Sequence, residues 1–195
     1  MPRLSALSVD EIYRQSASTA PTPGGGSVTA LCGMLGIALI LKALRITRRR
    51  RPDEALDAAE TALESLAGTL DADAEADIKA FDAFMQAART PREDEGQRAE
   101  RTERMQRAAA AAAEAALDTL EHACVAIEQA DRVEGQIATV VAADLRSGRR
   151  LLRVTVTNAI DNAMDNLESA GPPGECERLS ERLASLTAHV ADPAA

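Results

Sequence analysis

Between residues 53 and 89, apolar side chains recur at intervals of three and four, which is the spacing of one face of an α-helix. The apolar positions are Ala55, Leu56, Ala59, Leu63, Leu66, Leu70, Ile78, Phe81, Phe84 and Met85. The pattern predicts one long amphipathic helix, or two helices with a break near Gly68. Such a helix has to bury its apolar stripe against other elements.

The same period predicts helices along most of the chain. Ser8 and Glu11 form a capping-box pattern at the start of the first helix. Further helices are predicted at 27–49, 98–130, 136–147, 149–169 and 175–191, with Pro52 as a stop and Asp53 as a cap. No segment reads convincingly as a strand. Aromatic residues make up only 2% of the chain, so the core has to be built from Ala, Leu, Val and Ile. We therefore predict an all-α, single-domain bundle of long antiparallel helices over residues 1–195, and the composition also fits completion by a second subunit.

Charge and cysteine content exclude several classes of function. The formal net charge is −9, and nucleic-acid binding needs a basic face, so we expect no nucleic-acid partner. The five arginines in residues 45–51 are the exception, and they could either close a helix C-terminus or bind an anion. The three cysteines and two histidines show no metal-ligand spacing, so we expect no metal site and no disulfide framework. A reducing cytoplasm fits this composition. The apolar run at 27–41 is too short to span a membrane.

Three consecutive glycines followed by serine, Gly24, Gly25, Gly26 and Ser27, stand at the start of the most apolar helix. Glycine in a helix costs about 1 kcal/mol relative to alanine, so the run needs a reason. One reason is a cradle for an anion or carbonyl, because the free N–H groups of a helix start point outward. The other is a tight turn with close helix packing. The residues alone leave both open.

Three asparagines, Asn158, Asn162 and Asn166, recur at every fourth position, and Asp161 and Asp165 form a neighbouring stripe. Asparagine is a middling helix former, so a stripe of three indicates a purpose. The amides could recognise the edge of a heterocycle, or they could form a buried network between helices.

A further candidate is Asp144, which follows an apolar segment that could bury it and raise its pKa. Its alternative is a surface ion pair with Arg146 or Arg149.

The segment "YRQSASTAPTPGGGSVTAL" resembles the signature of the formiminotetrahydrofolate cyclodeaminase and methenyltetrahydrofolate cyclohydrolase family. Residues 77–93 resemble the family's Asp-x-x-Ala-Phe segment, and "NAMDNL" at 162–167 resembles its paired-asparagine motif. Asp144 lies upstream of that motif at the distance at which the family has its Ser-Asp. Order and spacing agree over roughly residues 10–170.

This resemblance implies an all-α homodimer that performs one-carbon chemistry on a tetrahydrofolate derivative, with no metal and no cofactor beyond that substrate. It implies catalytic roles for Asp144, as acid/base or cation stabiliser, and more weakly for Asp77. Ligand contacts would come from Gly24, Gly25, Gly26, Ser27, Asn158, Asn162 and Asn166. The chain shows no formimino-transferring domain, to which the cyclodeaminase is often fused, and this favours the cyclohydrolase.

Two departures from the family pattern concern the region before Asp144. The family's Gly-Asn has no counterpart in "VEGQIATVVAAD", and Ala143 replaces the serine. A non-catalytic dimeric helical protein of the same fold, with its ligand lost or changed, is therefore the alternative. In that protein the glycines would serve packing and the asparagines would form an interface network.

Overall fold

The computed structural model describes residues 2–191, and the side chains of all of these except 173 and 189–191. Within this range lie six α-helices. They are α1 (Val9–Ser16), α2 (Gly25–Arg50), α3 (Glu54–Ala88), α4 (Glu95–Val133), α5 (Ala142–Leu167) and α6 (Pro173–Ala191). Residues 2–191 contain no strand, which confirms the all-α prediction. The predicted domain of 1–195 also takes in residues 1 and 192–195, which lie outside the described residues.

Helices α2 to α5 form a four-helix bundle in which each helix packs against the next and α5 returns to α2. Cross-helix contacts show that α2 and α5 are antiparallel. Gly26 at the start of α2 lies against Asn162 near the end of α5, whereas Lys42 pairs with Asp144 at the start of α5. Helix α6 packs on α4 and α5. The glycine run and the asparagine stripe are thereby brought to the same end of the bundle.

Helix starts follow the capping residues of the sequence. The Ser8 hydroxyl accepts a hydrogen bond from the Glu11 N–H at 3.2 Å, and the Ser8 N–H donates to the Glu11 carboxylate at 2.8 Å, which confirms the capping box. Asp53 caps α3 by accepting from the Ala55 N–H at 2.9 Å. Asp94 caps α4 in the same way, so this helix begins three residues earlier than the predicted residue 98.

The prediction of two helices at 136–147 and 149–169 is wrong. Short 3-10 turns occupy Glu134–Gln136 and Thr139–Val141, and α5 then runs unbroken through Gly148. A Cβ on Gly148 would lie 2.5 Å from the Gly36 carbonyl oxygen and 2.6 Å from Ile40 Cγ1. Gly148 is therefore the point where the backbones of α2 and α5 approach each other. Gly68 likewise does not break α3.

Helix α2 is the most apolar element. By length and composition it could cross a membrane, with a mean hydropathy of 2.0 over its best 18 residues, but 61% of that window is buried inside the bundle. Around it, the core is aliphatic and alanine-rich, as the near-absence of aromatic residues predicted. Small side chains let these helices pack closely. Helix α2 therefore serves as the core helix of the bundle.

Part of the arginine cluster ties the end of α2 to the start of α3. Arg45 donates to Glu60 at 2.8 Å and also pairs with Glu64, and Arg48 pairs with Asp57 and Glu60. These contacts give the two arginines a structural role at the helix C-terminus. Anion binding by the remaining arginines of the cluster stays a prediction.

Candidate functional site

The glycine-rich segment forms the N-terminus of α2. Gly24 is the cap residue, with an extended backbone, and its N–H donates to the Ser27 hydroxyl at 3.1 Å. That hydroxyl in turn approaches the Gly24 carbonyl oxygen at 3.2 Å. Ser27 is fully buried, so its hydroxyl stabilises the turn from the inside of the bundle. We predicted Ser27 as a ligand contact, but the structure places its side chain beneath the glycines rather than at the surface above them.

Gly26 is the position where a side chain would collide with its neighbours. A Cβ there would lie 2.6 Å from Asp77 Cγ and 2.7 Å from Asn162 Nδ2, and closer still to an oxygen of the Asp77 carboxylate. Glycine at this position therefore allows a carboxylate from α3 and an amide from α5 to rest against the first turn of α2. The close-packing interpretation of the glycine run holds for Gly26.

The other two glycines are not explained by packing within the subunit. A Cβ on Gly25 would have no neighbour within 4 Å, and one on Gly24 would meet only the Pro21 carbonyl oxygen at 3.8 Å. Both residues face open space beside the exposed N–H groups of the helix start. A backbone without side chains at this point leaves room for a ligand to approach, as the cradle interpretation requires.

The asparagine stripe, Asn158, Asn162 and Asn166, faces this helix start from α5. Asn162 approaches Asp77 Oδ1 at 3.5 Å, and Asn158 approaches the Thr29 hydroxyl at 3.5 Å, both at the limit of hydrogen bonding. Asn166 donates to the Asn162 carbonyl oxygen at 2.8 Å. The amides of Asn158 and Asn162 therefore have capacity for stronger hydrogen bonds to a ligand.

These groups surround a cleft of about 400 Å³ at one end of the bundle. The cleft is lined by Pro21, Thr22, Gly24, Gly25, Gly26, Thr29, Asp77, Phe81, Ala112, Asn158, Asp161, Asn162, Asp165 and Asn166. Its volume falls in the range of small-molecule sites, and it combines apolar walls with converging polar groups. The structure thus brings together every predicted site residue except Ser27, which lies beneath it, and Asp144.

Asp77 is the carboxylate placed deepest among these groups. Burial raises the pKa of Asp77, whereas hydrogen bonds from the Ser27 N–H, the Asn162 amide and the Ser27 hydroxyl oppose that rise. The net effect lifts the pKa above the ordinary value of 3.8 and makes the carboxylate a stronger base. A half-buried carboxylate with a raised pKa in a cleft is the arrangement found at acid/base sites.

Asp144 lies elsewhere in the subunit. It sits in the first turn of α5, and its carboxylate pairs with the Lys42 ammonium at 3.1 Å. It precedes Asn158 by 14 residues, which corresponds to about 21 Å along a helix. Arg149, one of the two partners considered from the sequence, pairs instead with Asp131 and Glu134. The subunit therefore does not bring Asp144 to the cleft.

Seven lining residues were not predicted as site residues, among them Phe81, Asp161 and Asp165. Phe81, one of the two phenylalanines in the chain, is 39% exposed and lies one helical turn after Asp77. Asp161 and Asp165 form the second polar stripe of α5 and lie at the cleft. The sequence held a signal for Phe81, because it is one of two phenylalanines in the chain and lies four residues after Asp77, which puts both on the same side of α3.

A partly buried ionic contact between α3 and α4 lies one helical turn from Asp77 on α3. Asp73 is buried and contacts His122 Nδ1 of α4 at 2.7 Å. The Asp73 hydrogen bond raises the pKa of His122, against a smaller opposing effect of burial. Among the described residues no group of three or more His, Cys, Asp or Glu side chains could hold a metal ion.

The fold and the cleft define a class: a helical bundle with a polar, ligand-sized cleft at the glycine-rich start of its central helix. A family model described as Formiminotransferase-cyclodeaminase matches residues 8–185, and the chain belongs to that family.

Three relatives are consistent with this assignment. Over 180 residues the chain is 28% identical to formimidoyltransferase-cyclodeaminase of Sus scrofa, covering 89% of this chain and 33% of that protein. Over 91 residues it is 33% identical to methenyltetrahydrofolate cyclohydrolase of Methylorubrum extorquens, covering 43% of this chain and 42% of that protein. The matched segments thus span 33% and 42% of the length of these two relatives. The fold matches formiminotetrahydrofolate cyclodeaminase of Thermotoga maritima at a TM-score of 0.83 and 22% identity, over 95% of this chain and 91% of that one.

Proposed function

We propose that the protein is a one-carbon enzyme that acts on a tetrahydrofolate derivative. Its reaction would be the hydrolysis of the cyclic methenyl bridge or the cyclodeamination of the formimino form. The observation that carries the proposal is the meeting of the Asp77 carboxylate, the open glycine backbone and the asparagine amides in one cleft. Family membership and the names of the relatives support the same chemistry.

The cleft suits two parts of such a substrate, the polar edge of its pterin and its one-carbon bridge. The asparagine amides offer donors and acceptors that match the polar edge of a pterin, and Phe81 offers a ring face beside them. Carboxylates suit a methenyl substrate, because its one-carbon bridge is cationic. Asp77 would stabilise that cation at close range, and its raised pKa would make it a stronger base than an ordinary aspartate.

For hydrolysis, Asp77 would accept a proton from a water molecule as the water oxygen bonds to the bridging carbon. The resulting carbinol then loses its hydroxyl proton, the bond from that carbon to one flanking nitrogen breaks, and the nitrogen receives a proton. The balance is one water consumed, one formyl group formed and one proton released. For cyclodeamination, the free amine nitrogen beside the one-carbon unit would attack the protonated formimino carbon and give up its own proton. Asp77 would pass that proton to the amino group on the same carbon, and the bond between them would break to release ammonia and leave the methenyl cation.

Asp77 takes the central role in this proposal, and Asp144, at the other end of the bundle from the cleft, does not. A homodimer, a cytoplasmic location and chemistry without a cofactor beyond the folate itself are further parts of the proposal. They stand on the family resemblance and on the composition of the chain.

The decisive experiment compares Asp77→Asn with Asp144→Asn, which are the same chemical change at two carboxylates. The measurement is the loss of the methenyltetrahydrofolate chromophore, with ammonia release from formiminotetrahydrofolate assayed in parallel. We expect Asp77→Asn to lower kcat/KM by about 100-fold or more, in line with losing a general base. Asp144→Asn should stay within about threefold of the wild type, which is under 1 kcal/mol of transition-state stabilisation.

Two outcomes would contradict the proposal in different ways. Loss of activity in Asp144→Asn alone would return the catalytic role to Asp144. Absence of turnover on both substrates, together with no thermal shift on adding tetrahydrofolate derivatives, would favour the non-catalytic alternative, because a ligand that binds the folded state raises its melting temperature.

For the active wild type, kcat/KM should fall on acidification with an apparent pKa above 3.8.

A further inference from the structure

One face of α5 points away from the bundle and has an unusual charge pattern. The exposed residues that share this face are Arg146, Arg150, Arg153, Val154, Thr157, Asp161, Met164, Asp165 and Glu168, here called the α5 outer stripe. Their spacing keeps them on one side of the helix. All the charged members in the first half are basic and all those in the second half are acidic.

This pattern is unfavourable within a single helix. A helix N-terminus favours acidic side chains and its C-terminus favours basic ones, so the charges of the stripe run against the dipole of α5. Arg146 and Arg150 are also like-charged neighbours four residues apart, as are Asp161 and Asp165, and such pairs destabilise a helix. None of these four residues forms an ion pair with another residue whose side chain the structure describes. The subunit itself therefore offers no compensation.

A second copy of the chain would supply the missing partners. The point on α5 between Thr155 and Val156 lies midway between Arg150 and Asp161, about 8 Å along the helix from each. The same point lies midway between Arg146 and Asp165, about 14 Å from each. If two α5 helices pack antiparallel about a two-fold axis there, each arginine faces its matching aspartate. A two-fold interface requires this kind of self-complementary surface.

Apolar exposure on and beside the stripe agrees with this arrangement. Val154 is 51% exposed next to the proposed axis, and Met164 is 54% exposed towards the end of the stripe. On the adjoining helix α2, Leu35 is 52% exposed. Large apolar side chains in these positions would lose contact with water when two copies pack together.

We propose that the α5 outer stripe is the interface with a second copy of this chain, and that Arg150 pairs with the other copy's Asp161, and Arg146 with the other copy's Asp165. Because Asp161 and Asp165 line the cleft, the arginines of one copy would stand at the cleft of the other. The cleft of a single subunit has three lining carboxylates and, among its described residues, no lysine or arginine. For an anionic folate tail, which rests on the proposed function, the dimer would supply the missing positive charge.

The test uses charge reversal, with dimerisation measured by sedimentation velocity in the absence of folate. Arg150→Asp and Asp161→Arg should each weaken the dimer at least tenfold, because symmetry places two like-charge contacts in each homodimer. An equimolar mixture of the two variants should restore dimers, since both contacts in the mixed pair join opposite charges. Arg107→Asp, the same change at an exposed position of α4, is the matched control and should leave the dimer unchanged.

Circular dichroism establishes that each variant is folded, so a weak dimer is not mistaken for unfolding. A monomeric wild type, undiminished dimers in the single variants, or folded variants that fail to dimerise when mixed would each overturn the proposal. Because no folate is present, these outcomes are independent of whether the protein is a one-carbon enzyme.

Discussion

Helix α2 meets α5 closely at two places, and glycine is used differently at each. Near the start of α2, Gly26 makes room for two polar side chains, Asp77 and Asn162. Ten residues later, Gly36 faces Gly148, and there the space is filled by backbone, with Ile40 alongside. One contact leaves polar groups facing a cleft, whereas the other leaves no room at all. The first glycine therefore bears on the site and the second on the spacing of the bundle.

This difference shows why a glycine in a helix has to be judged by its neighbours. A side chain added at Gly148 would press on a carbonyl oxygen and a buried isoleucine, neither of which can move without shifting a helix. One added at Gly26 would press on the ends of two side chains, which can rotate away. The same substitution to alanine should thus damage stability at one end of the bundle and activity at the other.

The largest expected effect is on stability at the packed contact. Gly148→Ala should destabilise the fold by about 3 kcal/mol, as overpacking of a close contact does, and lower the melting temperature by roughly 6–12 °C for a domain of this size. Thermal unfolding followed by circular dichroism measures this. The matched control is Gly68→Ala in α3, where a Cβ would meet nothing within 4 Å; it should stabilise the helix by up to about 1 kcal/mol. Equal melting temperatures for the two variants would contradict the packing role of Gly148.

At the polar contact the expected effect is on catalysis. Gly26→Ala should displace the Asp77 carboxylate and lower kcat/KM by about 100-fold, the size of effect that a misplacement of about 1 Å can have. Its stability should change by less than about 1 kcal/mol, because alanine also favours the helix. Gly25→Ala is the control for stability, since its Cβ would meet no atom within 4 Å. If Gly26→Ala instead caused a large fall in melting temperature and left kcat/KM unchanged, Gly26 would serve packing as Gly148 does. The proposed difference between the two contacts would then be wrong.

The smallest expected effect concerns the ionic pair beside the polar contact. The pKa of His122 is raised in the folded state by its hydrogen bond to Asp73, with smaller favourable contributions from Asp118 and Glu121. The folded protein therefore holds the proton more tightly than the unfolded chain. The pair stabilises fully below the ordinary pKa of 6.5, and this contribution is lost as pH rises through the raised pKa.

Urea unfolding at pH 6 and pH 9 tests this sign. The wild type should lose about 1–2 kcal/mol more stability between these pH values than His122→Asn, which cannot carry the charge. An identical pH dependence in the two proteins would show that the histidine charge does not hold α3 to α4. The contact between Gly36 and Gly148 contains no titratable group, so Gly148→Ala should keep the pH dependence of the wild type.

Much of the helical framework could be predicted from local pattern. The Ser8 capping box, the stop at Pro52 and the cap at Asp53 are confirmed, because each depends on residues within a few positions of one another. The interruption predicted between 147 and 149 is wrong because Gly148 looks the same in sequence whether it ends a helix or packs against another. Its neighbour, Gly36, lies more than a hundred residues away and is invisible to any local pattern.

The sequence by itself determined the helices, the glycine-rich helix start, the asparagine stripe and the family. Periodicity and capping are encoded within single turns, and the family signature lies mainly in one continuous segment. Only the tertiary structure decided which carboxylate shares the cleft with these groups. Asp77 does so and Asp144 does not, because the antiparallel order of α2, α3 and α5 brings residues 26, 77 and 162 together and leaves the start of α5 at the other end of the bundle.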